Sequence, residues 1–334
     1  MSRRLLWLSI PFKEPFTTAA GVVKARDILV LLVERDGITG YGEAAPFEPY
    51  DGVPLAQVAR VLQERMTPTG FPQVHAADEM AFLDLEGRHL GMPLAELQEP
   101  TVAVNFTLAG ATPEDVAASA ADARAAGYDC FKLKVGLRED EARVAAVRDA
   151  IGSDALLRLD ANAAWSVPEA VSQIGRLSGY GLQFVEQPCA TLTELAVVRQ
   201  ETGVAIAADE SVQSAADVQA AAMAGACDVV SIKLAPMGGL SAARAAIKAA
   251  REAGIEPYVS STLDGPWGIA AALQLASAER ISLHCGLATL SLFDAAIARA
   301  LPSPENGRIE VPTGPGLGVE VAQDALDEVL VQEL

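Results

Sequence analysis

The sequence has few cysteines and histidines, the residues that hold disulfide scaffolds and zinc sites together. Among 334 residues there are four cysteines and three histidines. The cysteines are widely spaced with no CxxC pair, and the histidines at 75, 89 and 284 are not paired. A small disulfide-bonded fold is therefore excluded, and we expect free thiols in a reducing compartment and no zinc site.

Positive charge and long apolar runs are also scarce. Lys and Arg number 25 against 44 Asp and Glu, a formal net charge of −19. This balance argues against a nucleic-acid partner or an anionic membrane surface. The apolar run at 5–10 is shorter than the about 7–15 residues of a signal peptide. The run at 265–278 is shorter than the about 18 residues that suggest a membrane span. A cytoplasmic protein is the expectation.

Apolar residues are abundant, at 51% of the chain, which predicts a large packed core. In the first hundred residues, three strand-like stretches with a turn at Asp36-Gly37 precede two helical stretches, 54–66 and 77–90. Strands followed by helices indicate an α+β module. We expect a capping domain over 1–100, completed by about 300–334, because the tail returns to short extended pieces.

Between 101 and 299 the pattern changes to strands alternating with Ala-rich helices. Short connections between such units favour parallel strands. We count eight strands and predict an α/β (β/α)₈ barrel as the catalytic domain; an open wound sheet is the alternative, which the lack of a GxGxxG motif disfavours. The eight stretches are TVAVNFTL, DCFKLKV, ALLRLDAN, LQFVEQP, VAIAADES, DVVSIKL, EPYVSS and RISLHCG.

Charged residues end five successive strands of this predicted barrel. Their spacing is regular, with intervals of 26, 26, 23 and 24 residues from the second strand to the sixth. Each interval is about one βα unit, so all should lie near the C-terminal rim, where barrel active sites are found. These residues are Lys132 and Lys134 on the first of the five strands, then Asp160, Glu186, Asp209 and Lys233.

Three carboxylates on neighbouring strands would repel one another in a partly buried site. A hard divalent cation removes that repulsion, and Mg²⁺, with Mn²⁺ as a substitute, is the expected ion because it leaves positions open for substrate. Lys134 and Lys233 flank this site and could move a proton on either face of a bound ligand. Such a site suits loss of a proton next to a carboxylate.

The motifs FKLKVG, LDANAAW, VEQP, ADES and SIKLAPMGG, in this order and spacing, resemble the muconate-lactonising branch of the enolase superfamily along essentially the whole chain. The resemblance implies that Asp160, Glu186 and Asp209 bind Mg²⁺ and that Lys134 and Lys233 lie on opposite faces of a small-molecule carboxylate substrate. It further implies that Lys132 supports Lys134 and the substrate carboxylate. Two further residues are implied around them, Asn162 and Glu210.

The chain is also similar to o-succinylbenzoate synthases of the menaquinone pathway, in VEQPCATLTELAVVR and HCGLATLSLF. SSTLDGPWG takes the place of their Ser-Ser motif, which makes Ser260, Ser261 and Asp264 candidates beside the substrate, although its second half differs. The resemblance therefore implies a syn-dehydration. Racemisation of N-acylamino acids, dipeptide epimerisation and muconate-type cycloisomerisation stay open, with SLHCGLATL lacking the acid that would bind a dipeptide ammonium group.

Each residue also has a plainer interpretation. Asp160 and Asp209 could be helix N-caps, and Lys132 could point away from Lys134 and reach solvent. Lys233 could form a Schiff base in a barrel of another class, and a scaffold without activity is a further alternative. Loops near Thr17 and Tyr50 are expected to cover the barrel mouth and select the substrate. A homo-oligomer is left open.

Overall fold

The computed structural model describes residues 2–18, 21–66 and 70–334. The first part of the chain forms an antiparallel sheet followed by helices, as predicted. Its elements are β1 (Ser2–Thr18), β2 (Gly21–Arg35), β3 (Ile38–Ala44), α1 (Glu48–Asp51), α2 (Leu55–Gln63) and α3 (Pro72–Leu90).

Two local features explain this part of the fold. Asp36 and Gly37 both have positive φ, 56° and 78°, which is the backbone of the tight hairpin turn predicted between β2 and β3. On the next strand, Gly42 lies so close to α3 that an added Cβ would be 1.9 Å from the Ala77 carbonyl oxygen. The absence of a side chain there lets the helix lie directly on the sheet.

The second part alternates strands with helices and forms a parallel sheet of seven strands that curls into a barrel. The short strand β4 (Thr101–Ala103) comes first and lies outside this sheet. The seven strands of the sheet are β5 (Phe106–Leu108), β6 (Cys130–Lys134), β7 (Leu156–Asp160), β8 (Leu182–Glu186), β9 (Ile206–Ala208), β10 (Val229–Ile232) and β11 (Glu256–Val259). The helices are α4 (Pro113–Ala125), α5 (Asp140–Ile151), α6 (Val167–Leu177), α7 (Leu192–Thr202), α8 (Ala215–Ala224), α9 (Leu234–Met237), α10 (Leu240–Glu252) and α11 (Pro266–Ala278).

The eight predicted strands are not all regular. β5 to β11 lie in sequence order, but the first stretch is divided into β4 and β5. The eighth, RISLHCG, is reduced to two isolated parallel bridges, Val104 with Cys285 and Ser260 with Gly286. Cys285 and Gly286 still join β11 to the first strand position. The (β/α)₈-type barrel is therefore confirmed, with an irregular eighth position.

The end of the chain contributes to both parts. β12 (Arg308–Glu310) pairs with β4, and after α12 (Gln323–Val329) the last strand, β13 (Leu330–Glu333), pairs antiparallel with β1. Three 3₁₀ turns occupy 178–180, 288–292 and 296–299. The division into domains at 1–100 and 101–299 stays a prediction. Within the described ranges, no helix is both long and apolar enough to cross a bilayer.

Candidate active site

The charged residues predicted at the strand ends lie together at one end of the barrel. Lys134, Asp160 and Glu186 are register partners on three adjacent parallel strands, so their side chains stand at the same level. Asp209 and Lys233 follow β9 and β10. All of them except Glu186 line one cavity of about 370 Å³, a volume suited to a small-molecule ligand.

Lys132 lies between two of the carboxylates. Its Nζ is 2.8 Å from Asp160 Oδ2, and it donates a hydrogen bond to Glu186 Oε1 at 2.9 Å. The 2.8 Å contact with Glu186 Oε2 lacks hydrogen-bond geometry. Lys134 Nζ is 2.6 Å from the same Asp160 oxygen, so the interpretation that Lys132 points away from Lys134 is wrong. Residues two apart in a strand share a face, which is why both ammonium groups enter the barrel.

Asp209 is held from two directions. Lys233 Nζ donates to Asp209 Oδ2 at 2.7 Å, and the Tyr50 hydroxyl donates to Oδ1 at 3.1 Å. The Lys233 ammonium also lies 4.0 Å from the centre of the Tyr50 ring, within the range of a cation–π contact. Tyr50 belongs to α1 and lines the cavity together with Phe47, so this segment covers part of the barrel mouth, as expected. Of the other predicted loop, Thr17 is in β1, and residues 19 and 20 lie outside the described residues.

The electrostatics of the site are dominated by burial. Burial and the neighbouring Asp160 raise the pKa of Glu186 to about 7, and burial together with Asp209 raises that of Glu210 to about 8. Burial also acts on Asp160, but Lys132 and Lys134 outweigh it and hold its pKa below the ordinary value. Burial opposes the charge of Lys132, yet Asp160 and Glu186 raise its pKa well above the ordinary value. Four acidic groups, the fourth being Glu210, face three ammonium groups, and the raised pKa values of Glu186 and Glu210 mark a site where further positive charge would be stabilised.

The donor set fits a hard divalent cation. Asp160, Glu186 and Asp209 supply only oxygen, and each is at most 1% exposed. Glu186 Oε2 accepts no hydrogen bond, and Lys132 already places one positive charge between Asp160 and Glu186. Among the described residues no group of three acidic, histidine or cysteine side chains forms a ready metal-binding cluster, and an ammonium group is paired with each of the three carboxylates.

Asn162 and Glu210, implied by the resemblance, stand beside this arrangement. Asn162 Oδ1 accepts from Lys134 Nζ at 2.7 Å, and its Nδ2 donates to Glu210 Oε1 at 2.9 Å. Asn162 therefore links the candidate base to a second acid. The alternative in which Asp160 and Asp209 are N-caps is wrong, since the N-caps of α6 and α8 are other residues, Ser166 and Ser214.

The three candidate residues from SSTLDG do not all line the cavity. Ser260 and Ser261 line the cavity, where Ser260 pairs with the Ser231 hydroxyl at 2.6 Å. Asp264 does not line it, because its carboxylate turns inward and accepts from the Thr262 hydroxyl at 2.8 Å behind the cavity wall. Asp264 is thus placed to support the wall rather than to contact a ligand.

Two functional positions were missed by the sequence analysis. Tyr50 was considered only as part of a covering loop, although its hydroxyl reaches Asp209. Gln187 was considered only as part of a strand exit, but its Oε1 accepts from the Asp209 backbone N–H at 2.7 Å and from the Ser211 hydroxyl at 3.0 Å. The VEQP motif was a usable signal for Gln187. A side-chain amide directly after the buried Glu186 is buried only where it has hydrogen-bond partners, so its presence there indicates a positioning role.

Comparisons with known proteins agree with this architecture. A family model described as enolase C-terminal domain-like matches residues 115–325. The o-succinylbenzoate synthase of Thermobifida fusca (strain YX) is 40% identical over 250 residues, which cover 73% of this chain and 75% of that protein. Muconate cycloisomerase 1 of Rhodococcus opacus is 31% identical over 354 residues, covering 96% and 95% of the two chains.

Solved structures give the same result. The dipeptide epimerase from Enterococcus faecalis V583, complexed with Mg and the dipeptide L-Leu-L-Tyr, superposes with a TM-score of 0.88 at 29% identity. The match covers 96% of this chain and 99% of that one. With the family match extending over most of the barrel and the site residues at its C-terminal end, the chain is an enzyme that belongs to the enolase superfamily, in its muconate-lactonising branch.

Proposed function

We propose that this enzyme removes the proton next to the carboxylate of a small organic acid, with Mg²⁺ held by Asp160, Glu186 and Asp209. The observation that carries the proposal is the placement of two lysines. Lys134 and Lys233 belong to β6 and to the end of β10, which three strands separate, and both line the same cavity. In a barrel of eight positions this separation puts their amines on opposite sides of a bound ligand.

In the proposed step, Lys134 acts as the base. Its neutral amine takes the α-proton, the C–H bond breaks, and its electron pair moves into the carboxylate to give an enediolate. Asn162 Oδ1 and Asp160 Oδ2, both within 2.7 Å of Lys134 Nζ, orient the amine. The Lys132 ammonium group supplies positive charge to the substrate carboxylate. When bound, Mg²⁺ supplies additional positive charge for the same oxygens.

We further propose dehydration as the second half of the reaction, which would make the enzyme an o-succinylbenzoate synthase of menaquinone biosynthesis in the cytoplasm. The electron pair of the enediolate forms a C=C bond as the β C–O bond breaks. The hydroxyl group takes the proton carried by Lys134 and leaves as water from the same face of the substrate. The 40% identity to the synthase supports this choice. Lys233 then acts as a fixed cation opposite the base, in keeping with its ion pair to Asp209.

The second candidate is a racemase or epimerase of N-acylamino acids or dipeptides, with muconate-type cycloisomerisation as a further outcome. It is favoured by the same placement of Lys233, because an amine on the other face could return the proton with inversion. The match to the dipeptide epimerase supports it as well. No acidic side chain in the segment 282–290 is available for a dipeptide ammonium group, which favours an acylated or uncharged substrate.

The test is turnover of a panel of carboxylates: the cyclohexadiene precursor of o-succinylbenzoate, N-acylamino acids, dipeptides and muconate. Each is incubated with Mg²⁺ in D₂O, and α-proton exchange is followed by NMR. We expect exchange with the wild type and none with Lys134→Ala, while Lys248→Ala, whose side chain is 76% exposed, behaves as the wild type. Exchange at the normal rate in Lys134→Ala contradicts the assignment of the base, and trapping of substrate on Lys233 by borohydride would favour the Schiff-base alternative.

A further inference from the structure

Arg26 is a buried arginine that contacts two separate segments of the chain. It lies on β2 and is 3% exposed. On one side its Nη1 and Nη2 donate to the carbonyl oxygens of Pro46 and Ala45, each at 2.7 Å, and on the other its Nε lies 3.3 Å from the carbonyls of both Thr262 and Leu263. A planar guanidinium can bridge two chains in this way because its donors point in fixed directions.

Both of these segments contribute residues to the cavity lining. The first leads into Phe47 and Tyr50, and the Arg26 guanidinium also lies 4.9 Å from the centre of the Phe47 ring. The second contains Thr262 and Leu263, which follow β11. A single side chain outside the cavity therefore ties the covering segment to the loop of the barrel.

Glu43, on the neighbouring strand β3, reinforces the same junction. Its two carboxylate oxygens accept from the backbone N–H groups of Gly265 at 2.7 Å and Gly268 at 3.1 Å. A Cβ added at Gly265 would lie 2.8 Å from Glu43 Oε2, and one at Gly268 would lie 3.0 Å from Oε1. The glycines thus allow an approach that other residues would block, directly after the segment that Arg26 holds.

The segment between these contacts is strained. Leu263 has a φ of 63°, a left-handed conformation that branched side chains adopt rarely and at a cost. Its carbonyl is bound by Arg26, and its N–H lies 3.3 Å from the Ser261 hydroxyl. A strained residue in a cavity wall persists only when its surroundings hold it. Arg26 supplies that support at Leu263 itself, and Glu43 holds the backbone directly after it.

We propose that Arg26 and Glu43 are positioning residues that set the shape of the substrate cavity. They thereby determine which group a substrate can carry beyond its carboxylate. Neither residue lines the cavity or contacts the reacting atoms. They act through the segment that leads to Tyr50 and through Leu263, both of which line the cavity. The specificity part of this proposal rests on the proposed function, whereas the clamp between the two segments does not.

The test is Arg26→Lys, which keeps the positive charge but loses the planar set of guanidinium N–H donors. Its matched control is Arg143→Lys. Arg143 is also buried, and it bonds to a carboxylate and a carbonyl, but it lies on α5 and does not line the cavity. We measure kcat and KM for two panel substrates that differ in the bulk of this group. We expect Arg26→Lys to change the ratio of their kcat/KM values by about tenfold, mainly through KM, and the control to leave it unchanged.

Hydrogen exchange measures the clamp without any substrate. In Arg26→Lys, amide protection should fall together in 44–50 and 262–268, and it should be kept in both segments of the control. Protection retained in either segment overturns the clamp, and an unchanged kcat/KM ratio overturns its role in substrate selection. If the wild type turns over none of the panel, the proposed function fails. The change in amide protection in 44–50 and 262–268 still tests the clamp. Glu43→Gln, read in the same way, replaces Arg26→Lys if that variant does not fold.

Discussion

The Tyr50 hydroxyl donates a hydrogen bond to Asp209 Oδ1 at 3.1 Å, across 159 positions of the chain. Because Lys233 occupies the other oxygen of the same carboxylate, both acceptors of Asp209 are engaged. Tyr50 lies on the segment that covers the barrel mouth, so a residue of the cover is bonded to a candidate metal ligand. We therefore expect binding of the proposed metal ion at Asp209 to be linked to the position of the cover.

Tyr50→Phe tests this link. The substitution keeps the ring beside Lys233 and removes only the hydroxyl, which frees Asp209 Oδ1. A hydrogen bond to a carboxylate is worth about 1.5–3 kcal/mol, and we expect Mn²⁺ to bind more tightly by at least about fivefold, measured by calorimetry or EPR on the protein without substrate. Tyr180→Phe, at the distant 3₁₀ turn 178–180, is the control. Equal or weaker Mn²⁺ binding in Tyr50→Phe would contradict the link.

Asp209→Asn tests the ligand itself. An amide carries no charge, so the variant loses one of three negative charges proposed to hold the ion. We expect Mn²⁺ affinity to fall on the order of 100-fold and activity to disappear after EDTA treatment of the wild type, returning with added Mg²⁺. The matched control is Asp154→Asn, whose carboxylate is 74% exposed and paired with Arg124. Full activity of Asp209→Asn without added metal would refute the metal site.

The buried Glu43 predicts a pH dependence of stability. Burial and the neighbouring Asp264 raise its pKa from 4.5 to about 8, with Arg26 and the two glycine N–H groups acting in the opposite sense. Between these values the unfolded chain loses this proton while the folded protein keeps it. The free energy of unfolding should therefore fall as pH rises from about 4.5 to 8, and the penalty is complete above that.

Urea unfolding at pH 5 and at pH 9 measures this contribution. We expect the free energy of unfolding to fall less in Glu43→Gln than in the wild type, because glutamine has no proton to lose. Glu310→Gln, on an exposed position of β12, should follow the wild type. Identical pH profiles for Glu43→Gln and the wild type would show that Glu43 ionises normally in the folded protein.

Gly42 offers a test of packing between β3 and α3. An added methyl group would lie 1.9 Å from the Ala77 carbonyl oxygen. This oxygen belongs to a helix backbone, which cannot change conformation to make room as a side chain could. We expect Gly42→Ala to lower the free energy of unfolding by about 3 kcal/mol or more. Gly175→Ala is the matched control on α6, where an added Cβ meets nothing within 4 Å; there stability should rise by up to about 1 kcal/mol. Equal stabilities of the two variants would contradict the close approach.

The barrel and its charged mouth could be predicted because both depend on local repetition. Each βα unit repeats the same alternation, and one charged residue at each strand end places Lys134, Asp160 and Glu186 at one level without any knowledge of long-range contacts. The eighth strand was predicted as regular for the same reason. RISLHCG has strand-like composition, but only Cys285 and Gly286 pair, which the apolar pattern does not reveal.

The contacts across the cavity could not be predicted in this way. Arg26 and Thr262 are 236 positions apart, and nothing near Arg26 in sequence distinguishes a buried arginine from a surface one. Tyr50 and Asp209 present the same difficulty. The orientation of Lys132 was different, since strand geometry alone already puts residues 132 and 134 on one face, and the structure corrects that interpretation.

The irregular eighth position has a consequence for how the barrel wall opens. Around Cys285 and Gly286, four backbone hydrogen bonds join β11 to the first strand position, with N–O distances of 2.7 to 3.2 Å. Separating the wall at this seam breaks no regular ladder, so the first local unfolding of the barrel should start there. The seam adjoins Ser260, and early opening would therefore let solvent into the ligand cavity while the remaining strands are still paired.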